Sequence, residues 1–378
     1  MVLKVTHIQL EDLLKEYYET KVALFIFGAF GIGKSVVVRD SAEKIAKTKG
    51  REFVEWNKLS KEMKQKVYEY SEKYFVLIDE RLSEYDSSDI KGLPNFKADK
   101  DVLDWKVPFW CKLLSKENSD GVLFFDEINL ATPLVISSVY KIIYDRVIGE
   151  EKVNKNWFIL GAGNRDEDRA FTHTLPAPVR DRGGEVELVE PSVDDWTEWG
   201  IKNGIDSRII GFVNFKPSYL YNVNFDDGQK YTTTRGYERV NTLIKDTKID
   251  EMFELKCKSA IGEGIASEFI SFCKLQEKYN LEDLFKNPKK IKEIKDISIK
   301  YLLVSSLAER YGKKDKTFDF DKVMEVSKVL DEMNNAEFVA LLWKLSLSYT
   351  KESKLFASDF SKSKESKLID KYGKYIIN

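Results

Sequence analysis

Gly28-Ala29-Phe30-Gly31-Ile32-Gly33-Lys34-Ser35 is the most informative stretch of this chain. It has the spacing G-x-x-x-x-G-K-S, which is typical of a loop that binds the phosphates of a nucleoside triphosphate. The apolar residues 22–27 before it suffice for a buried parallel strand, and residues 35–47 after it have the apolar spacing of a helix. A chance match in a glycine-bearing turn would seldom supply the strand, the loop and the helix together.

This loop predicts the roles of its residues. Because glycines let the backbone curl, several main-chain N–H groups can point at phosphate, and the helix start adds partial positive charge. Lys34 is expected to reach the β- and γ-phosphates of ATP, and the Ser35 hydroxyl to bind Mg²⁺. The predicted nucleotide-binding residues are Gly28, Ala29, Phe30, Gly31, Ile32, Gly33, Lys34, Ser35 and Val36.

Length and composition limit the class of protein. The chain has 378 residues, enough for two or three domains, and 43% hydrophobic with 33% charged residues is typical of a globular protein. Lys and Arg total 61 against 63 Asp and Glu, so the net charge of -2 gives no overall attraction to nucleic acid or anionic membranes. The three cysteines show no paired spacing, and two histidines leave little scope for histidine-based metal chemistry.

The chain shows no signal peptide and no apolar run of membrane-spanning length, so we expect a cytoplasmic protein without a membrane partner. Strand-like and helix-like segments alternate up to Pro191, which predicts an α/β domain with helices on both faces of a parallel sheet. Beyond Pro191 helical patterns dominate to about Tyr349, and residues 351–374, rich in Lys and Ser, are expected to be loosely ordered. The predicted strands are residues 22–27, 74–79, 121–126, 157–162 and 185–189.

Two acidic residues, Asp126 and Glu127, end the third of these strands. An acid at the carboxyl end of a central strand lies beside the phosphate loop in such a sheet. We expect Asp126 to hold Mg²⁺ through water, and Glu127 to orient and polarise the attacking water. The pattern alone would also suit a strand ending at a solvated turn, but it follows the phosphate loop by about ninety residues.

Four further residues are candidates for catalysis. Asn164 ends the fourth strand and could position the same water or touch the γ-phosphate; the alternative is a turn residue satisfying its own backbone. Arg180 and Arg182 precede the fifth strand, where an arginine could enter a neighbouring subunit's site or form a surface ion pair with Asp181 or Glu185. Arg182 is preferred to Arg180. Arg235, at a predicted helix start, could report on the nucleotide or lie on a solvated face.

In this order, these elements resemble those of the AAA+ ATPases, and the residues within the motifs resemble those of the MoxR branch found in bacteria and their phages. The resemblance covers about residues 5–245, and the C-terminal third lies outside it. The supporting stretches are residues 78–83, 89–94, 121–129, 144–150, 161–166, 175–182 and 194–199.

The resemblance implies a five-stranded parallel sheet of order 5-1-4-3-2 in residues 1–190, a helical lid in 191–290 and a helical extension in 291–378. It implies an insert at about 86–110 and a hairpin at about 147–157. It assigns Gly28–Ser35 to Walker A, Asp126-Glu127 to Walker B, Asn164 to sensor 1, Arg182 to the arginine finger and Arg235 to sensor 2. Gly183-Gly184 replaces the usual aromatic after the finger, which leaves Arg180 open, and Arg235 could act in cis or in trans.

Such proteins hydrolyse ATP with Mg²⁺, usually as hexameric rings, and remodel protein partners, often with one that bears a von Willebrand factor A domain. The resemblance therefore implies a cytoplasmic homo-oligomer, in a bacterial or phage-infected cell, that acts on a protein. A nucleic-acid translocase or loader is an alternative, because Lys286, Lys289, Lys290, Lys292 and Lys295 could follow phosphates, although acids are interleaved. A slow ATP-driven assembly switch is another.

Overall fold

The computed structural model describes residues 2–94, 105–149, 151–165, 173, 176, 180–223, 231–245, 247–314, 318–363 and 366–375. The chain divides into two compact units, Met1–Glu190 and Pro191–Asn378, with the boundary at the proline noted in the sequence. The first unit is built on a parallel sheet and the second on helices.

Seven strands form the sheet of the first unit. They are β1 (Leu3–Val5), β2 (Leu24–Gly28), β3 (Glu52–Glu55), β4 (Tyr74–Arg81), β7 (Gly121–Asp126), β10 (Trp157–Gly163) and β11 (Gly184–Leu188). Their order is β1-β11-β2-β10-β7-β4-β3, and every neighbouring pair is parallel. The five strands expected from the sequence lie side by side as β11-β2-β10-β7-β4, so the sheet has seven strands rather than five because one short strand is added at each edge.

Burial explains why the inner strands could be read from the sequence and the edge strands could not. The seven residues of β10 are all buried, since this strand lies between β2 and β7 with helices on both faces. The edge strand β3 is Glu52-Phe53-Val54-Glu55, with one buried residue, and β1 has three residues. Strands this short show no periodic pattern of their own, so their pairing with a neighbour could not be predicted from the sequence.

The helices of this unit begin at recognisable caps. Thr6 and Gln9 form a capping box at α1, the Ser60 side chain caps α3, and Thr132 caps α6 ahead of a proline in the first turn. The helices are α1 (His7–Thr20), α2 (Lys34–Thr48), α3 (Lys61–Glu69), α4 (Ser87–Lys91), α5 (Phe109–Ser115) and α6 (Pro133–Tyr140), which continues into a π-helical turn at Lys141–Asp145.

The unit also contains two short antiparallel hairpins. β5 (Leu93–Pro94) pairs with β6 (Trp105–Lys106) in the segment where the resemblance places an insert, and residues 95–104 of that insert lie outside the described residues. β8 (Val147–Ile148) pairs with β9 (Glu151–Lys152) where the resemblance places a hairpin, of which Glu150 lies outside the description.

In the second unit, the described residues form helices and one isolated antiparallel bridge between Asn222 and Thr232. The helices are α7 (Val193–Lys202), α8 (Ser207–Phe215), α9 (Thr234–Ile244), α10 (Glu251–Ile261), α11 (Glu263–Lys278), α12 (Leu281–Lys286), α13 (Ile297–Gly312), α14 (Phe320–Glu332), α15 (Ala336–Tyr349), α16 (Leu355–Lys362) and α17 (Ser366–Tyr372). One hydrophobic core runs from Trp196 to Tyr372, and the boundary expected between residues 290 and 291 lies within it.

The expectation of a loosely ordered tail is wrong. α16 and α17 occupy most of residues 351–374, and Phe356, Leu368 and Tyr372 are buried in the shared core. The lysines of this tail whose exposure is described face solvent, while apolar residues lie at helical spacing between them. Composition averages over the two faces of a helix, and here it concealed the buried one.

Candidate functional site

The loop between β2 and α2 has the conformation that its glycines predict. Gly31 and Gly33 have φ values of 72° and 96°, in the left-handed region that glycine enters without a Cβ penalty. α2 begins at Lys34, and Gly33 at its N-cap supplies no capping side chain. The first N–H groups of a helix lack intrahelical acceptors, so this turn presents main-chain donors suited to an anion.

Lys34 is buried at the centre of the loop. Its Nζ donates to the carbonyl oxygens of Gly28 at 2.7 Å and Ala29 at 2.9 Å, and to Asn164 Oδ1 at 3.2 Å. An ammonium group has three N–H donors, and these three acceptors fix its position. The contact to Asn164 brings together two predicted site residues that lie 130 positions apart in the chain.

Ser35 and Asp126 meet beside Lys34. Ser35 Oγ donates to Asp126 Oδ2 at 2.9 Å, while Asp126 Oδ1 accepts the backbone N–H of Glu127 at 2.9 Å. The carboxylate is thereby held toward the start of α2 from the carboxyl end of β7. A hydroxyl and a carboxylate oxygen are the hard donors that Mg²⁺ prefers, so the residues present fit this ion.

Asp79, on the adjacent strand β4, is an acidic residue to which the sequence analysis gave no role. Burial, followed by the charge of Asp126, raises its pKa from 3.8 to about 6. Its Oδ1 atom is buried and has no hydrogen-bond partner among the described residues. A signal was present, because Asp79 ends an apolar run just as Asp126 does.

Glu127 leaves β7 in an unusual backbone conformation, with a φ of 55°. This turn directs the side chain away from the path of the strand, and Oε2 accepts a hydrogen bond from the Ser83 hydroxyl. Ser83 follows β4, and no feature of the sequence linked it to Glu127. The contact leaves Oε1 of the same carboxylate available for another donor.

Asn164 is held in place by a second asparagine that the sequence analysis did not single out. Asn129 Nδ2 donates to the Asn164 carbonyl oxygen at 2.7 Å, and Asn129 Oδ1 accepts the Asn164 N–H at 3.0 Å. Asn129 is 2% exposed and lies two positions beyond Glu127. The ends of β7 and β10 are therefore joined through a side-chain amide.

His7 contacts the phosphate loop from the first residue of α1. Its Nε2 lies 2.7 Å from the carbonyl oxygen of Ile32, and because a carbonyl can only accept, this nitrogen carries the proton. A single histidine 25 positions from its partner has no pattern from which such a contact could be predicted.

The two candidate finger arginines differ in their surroundings. Arg180 makes a paired contact with Glu185, from Nε at 2.8 Å and from an Nη at 2.7 Å, which is the ion pair considered as an alternative for it. Arg182 is exposed, and its guanidinium carbon lies 5.0 Å from the centroid of the Tyr144 ring. Burial raises the pKa of Tyr144 to about 12, although the charge of Arg182 opposes the increase.

Arg235 belongs to the second unit, where it is exposed in the first turn of α9. Burial raises the pKa of Glu238, one turn further along, while Arg235 lowers it. The role of Arg235 toward a nucleotide stays a prediction. Across the described ranges of both units, every helix is too short or too polar to cross a bilayer.

Comparisons with known proteins gave structural similarities alone. No family model matches the chain, and no curated protein matches it. Among solved structures, a putative ATPase from Cytophaga hutchinsonii has 15% identity and a TM-score of 0.33, covering 68% of this chain and 81% of its own. A variant of Thermotoga maritima RuvB has 14% identity and a TM-score of 0.31, with coverage of 91% and 85%. PCH-2 of C. elegans has 11% identity and a TM-score of 0.30, with coverage of 72% and 68%.

Proposed function

We propose that this chain is a Mg²⁺-dependent ATPase of the AAA+ class. These similarities are too low to support a function, so the proposal rests on the contacts within the site. The single observation that carries it is that residues from two strand ends meet the phosphate loop: Lys34 contacts Asn164 after β10, and Ser35 contacts Asp126 at the end of β7. A chance G-x-x-x-x-G-K-S match has no reason to be joined to an acid at one strand end and an amide at the next.

The chemistry follows from the residues in place. Main-chain N–H groups of residues 31–35 bind the phosphates, and Lys34 exchanges its carbonyl acceptors for phosphate oxygens. Glu127 orients a water molecule and accepts its proton as the water oxygen attacks the γ-phosphorus. The bond from that phosphorus to the bridging oxygen breaks, which releases ADP and phosphate. Mg²⁺, held by Ser35 and through water by Asp126, would neutralise charge on the phosphates.

Side-chain contacts around Glu127 and Lys34 serve positioning. Ser83 binds one oxygen of Glu127 and so fixes the direction in which the other accepts a proton. Asn164 accepts a hydrogen bond from Lys34, as the loop carbonyls do, so it lies beside the proposed phosphate site, where it would align water or the γ-phosphate. Such preorganised polar groups account for much of the rate in phosphoryl transfer, where positioning and charge stabilisation dominate.

Two substitutions test the ATPase proposal. Lys34→Ala is expected to abolish detectable nucleotide binding, whereas Glu127→Gln keeps ATP bound but uncleaved. Lys47→Ala, an exposed lysine in the last turn of the same helix, is the matched control and is expected to behave as wild type. Binding is measured by calorimetry and turnover by phosphate release. Equal nucleotide affinity in wild type and Lys34→Ala would refute the assignment.

We further propose a MoxR-like ring, with Arg182 completing the neighbouring subunit's site, that remodels a protein partner. The exposure of Arg182 supports this, because a finger arginine must be free to reach another subunit. Glu127→Gln, held in its ATP state, is the bait for capturing that partner, and a protein with a von Willebrand factor A domain is the first candidate to look for. Lys34→Ala is the control bait, and a partner retained equally by both variants would argue against ATP-dependent engagement.

The nucleic-acid alternative is less well supported by the helical unit. Lys290 lies 2.6 Å from a carboxylate oxygen of Asp283, and Lys292 lies 2.6 Å from one of Glu332. A lysine paired with an acid contributes little net charge, so these two pairs attract phosphates weakly. Stimulation of ATP hydrolysis by DNA, falling steeply with added salt, would favour this alternative. A single-turnover burst followed by negligible steady-state hydrolysis would instead favour the assembly switch.

A further inference from the structure

Asn129 occupies a buried position between the two strand ends that carry Glu127 and Asn164. It lies in the turn after β7, and its side chain bonds both main-chain groups of Asn164, accepting from the N–H at 3.0 Å and donating to the carbonyl at 2.7 Å. A primary amide can donate from its nitrogen and accept at its oxygen at the same time. The contact therefore fixes both the position and the orientation of the Asn164 backbone.

The surrounding chain is shaped to admit this amide. A Cβ on Gly163 would lie 2.6 Å from Asn129 Oδ1, so the residue before Asn164 can be glycine but no larger residue without displacement. One residue earlier, the carbonyl oxygen of Ala162 accepts the N–H of Ile128 at 2.8 Å. The turn after β7 and the end of β10 are thus joined by three hydrogen bonds within a few residues.

This junction connects the two groups that flank the proposed reacting water. On one side, the Glu127 carbonyl accepts the Leu130 N–H at 2.9 Å, which closes the turn that sets the direction of Glu127. On the other side, Asn164 Oδ1 contacts Lys34 Nζ at 3.2 Å. Asn129 lies between them and reaches neither the loop nor Lys34 in the contacts described.

We propose that Asn129 is a positioning residue that sets the separation of Glu127 and Asn164, and that it acts on ATP hydrolysis through Asn164. This rests on the proposed ATPase function. Loss of the amide frees the Asn164 backbone and misaligns its side chain, whereas the phosphate loop and the Ser35–Asp126 contact stay intact. The consequence is a fall in kcat without a comparable loss of nucleotide affinity, because misplacement by a fraction of an ångström is costly for the reaction and not for binding.

A double-mutant cycle tests this. Asn129→Ala and Asn164→Ala are each expected to lower kcat on the order of 10-fold or more, with KM and ATP affinity changed by less than about 3-fold. The double variant is expected to be no slower than the slower single variant, since residues acting through one another are non-additive. A kcat of Asn129→Ala equal to wild type, or effects that multiply in the double variant, would overturn the inference.

Asn154→Ala is the matched control. Asn154 uses its side chain in the same manner near the opposite end of β10, donating to the Lys116 carbonyl and accepting the Asn156 N–H, both at 3.0 Å. It is expected to lower the melting temperature as Asn129→Ala does, but to leave kcat within about 2-fold of wild type. Equal losses of kcat in the two variants would show that Asn129 contributes stability alone. Wild type and Lys34→Ala are measured in the same series. If wild type hydrolyses ATP no faster than Lys34→Ala, the ATPase proposal is rejected, and this inference with it.

Discussion

Asp79 shows how the charge of the site affects folding. Its pKa is raised from 3.8 to about 6, first by burial and then by Asp126. The folded state therefore binds a proton between about pH 4 and pH 6 that the unfolded chain has released. Stability must fall as pH rises through this window, and the cost is fully present above it.

Asp79→Asn removes that cost and is expected to stabilise the protein. The gain over wild type should be small near pH 4, grow up to about pH 6 and remain constant above, as measured by urea denaturation across that range. Asp206→Asn is the control of opposite sign. Burial raises the pKa of Asp206, but its bonds to Arg208 outweigh that effect and the net pKa is lowered. Asp206→Asn is therefore expected to lose stability at neutral pH. A gain from Asp79→Asn independent of pH would contradict the prediction.

The residues that the sequence analysis placed in the site were those carried by a local pattern. Lys34, Ser35, Asp126 and Asn164 each stand at a defined position after an apolar run, and the structure brings these four together. Their chemical roles stay predictions. Asn129, Ser83 and His7 reach the site across the fold, through contacts that depend on strand order and on which helix packs where. Such contacts leave no trace in local spacing.

At the scale of elements, the same distinction separates inner strands from edge strands. β2, β7 and β10 are covered on both faces, so their sequences are apolar runs that periodicity detects. β1 and β3, at three and four residues, are too short for periodicity to detect, and each pairs along one edge with a single neighbour. Helix starts carry a local signal, since a capping side chain such as Thr6, Ser60 or Thr132 lies directly before its helix.

The cap of α1 offers a test at this scale. Thr6 accepts the Gln9 N–H at 3.3 Å and Gln9 Oε1 accepts the Thr6 N–H at 3.0 Å, so the side chain of each satisfies the other's backbone. Thr6→Ala is expected to lower the unfolding free energy by about 0.5–2 kcal/mol, whereas Thr6→Ser should retain most of it. Chemical denaturation measures both. Equal destabilisation by the two variants would show that the cap contributes nothing.

The C-terminal helices provide a second test. Phe356 is 1% exposed and packs against the rings of Tyr311, Phe320 and Trp343 at centroid distances of 6.1, 5.6 and 6.5 Å. Phe356→Ala is expected to cost about 3–5 kcal/mol, since it removes a large side chain from a packed core. Lys367→Ala, an exposed change in α17, should cost less than about 0.5 kcal/mol. A near-zero effect of Phe356→Ala on urea denaturation would restore the view of a loosely ordered tail.

At the scale of the whole molecule, the proposed ring requires that one subunit supply a residue to the next. Arg182 is exposed beside Tyr144, whereas Arg180 is engaged by Glu185 in the same unit. Withdrawing Arg180 would leave Glu185 without that partner. Among the contacts of the described residues, Arg182 would lose its cation–π contact with Tyr144 on reaching a neighbouring subunit, and such a contact is worth about 0.5–1 kcal/mol at an exposed site. The difference favours Arg182 as the residue that can act in trans.

Mixing two inactive variants tests this directly. Arg182→Ala keeps Glu127, and Glu127→Gln keeps Arg182, so each alone is expected to hydrolyse ATP at least about 10³-fold more slowly than wild type. Equal mixing places Arg182 beside an intact Glu127 at about a quarter of head-to-tail interfaces, and part of the activity should return. Phosphate release is measured after co-refolding or subunit exchange, with native mass spectrometry confirming mixed assemblies. Arg180→Ala is the control and should remain active alone. Mixed assemblies without recovered activity would contradict action in trans. If Arg182 served its own subunit, every site in the mixture would lack either Arg182 or Glu127.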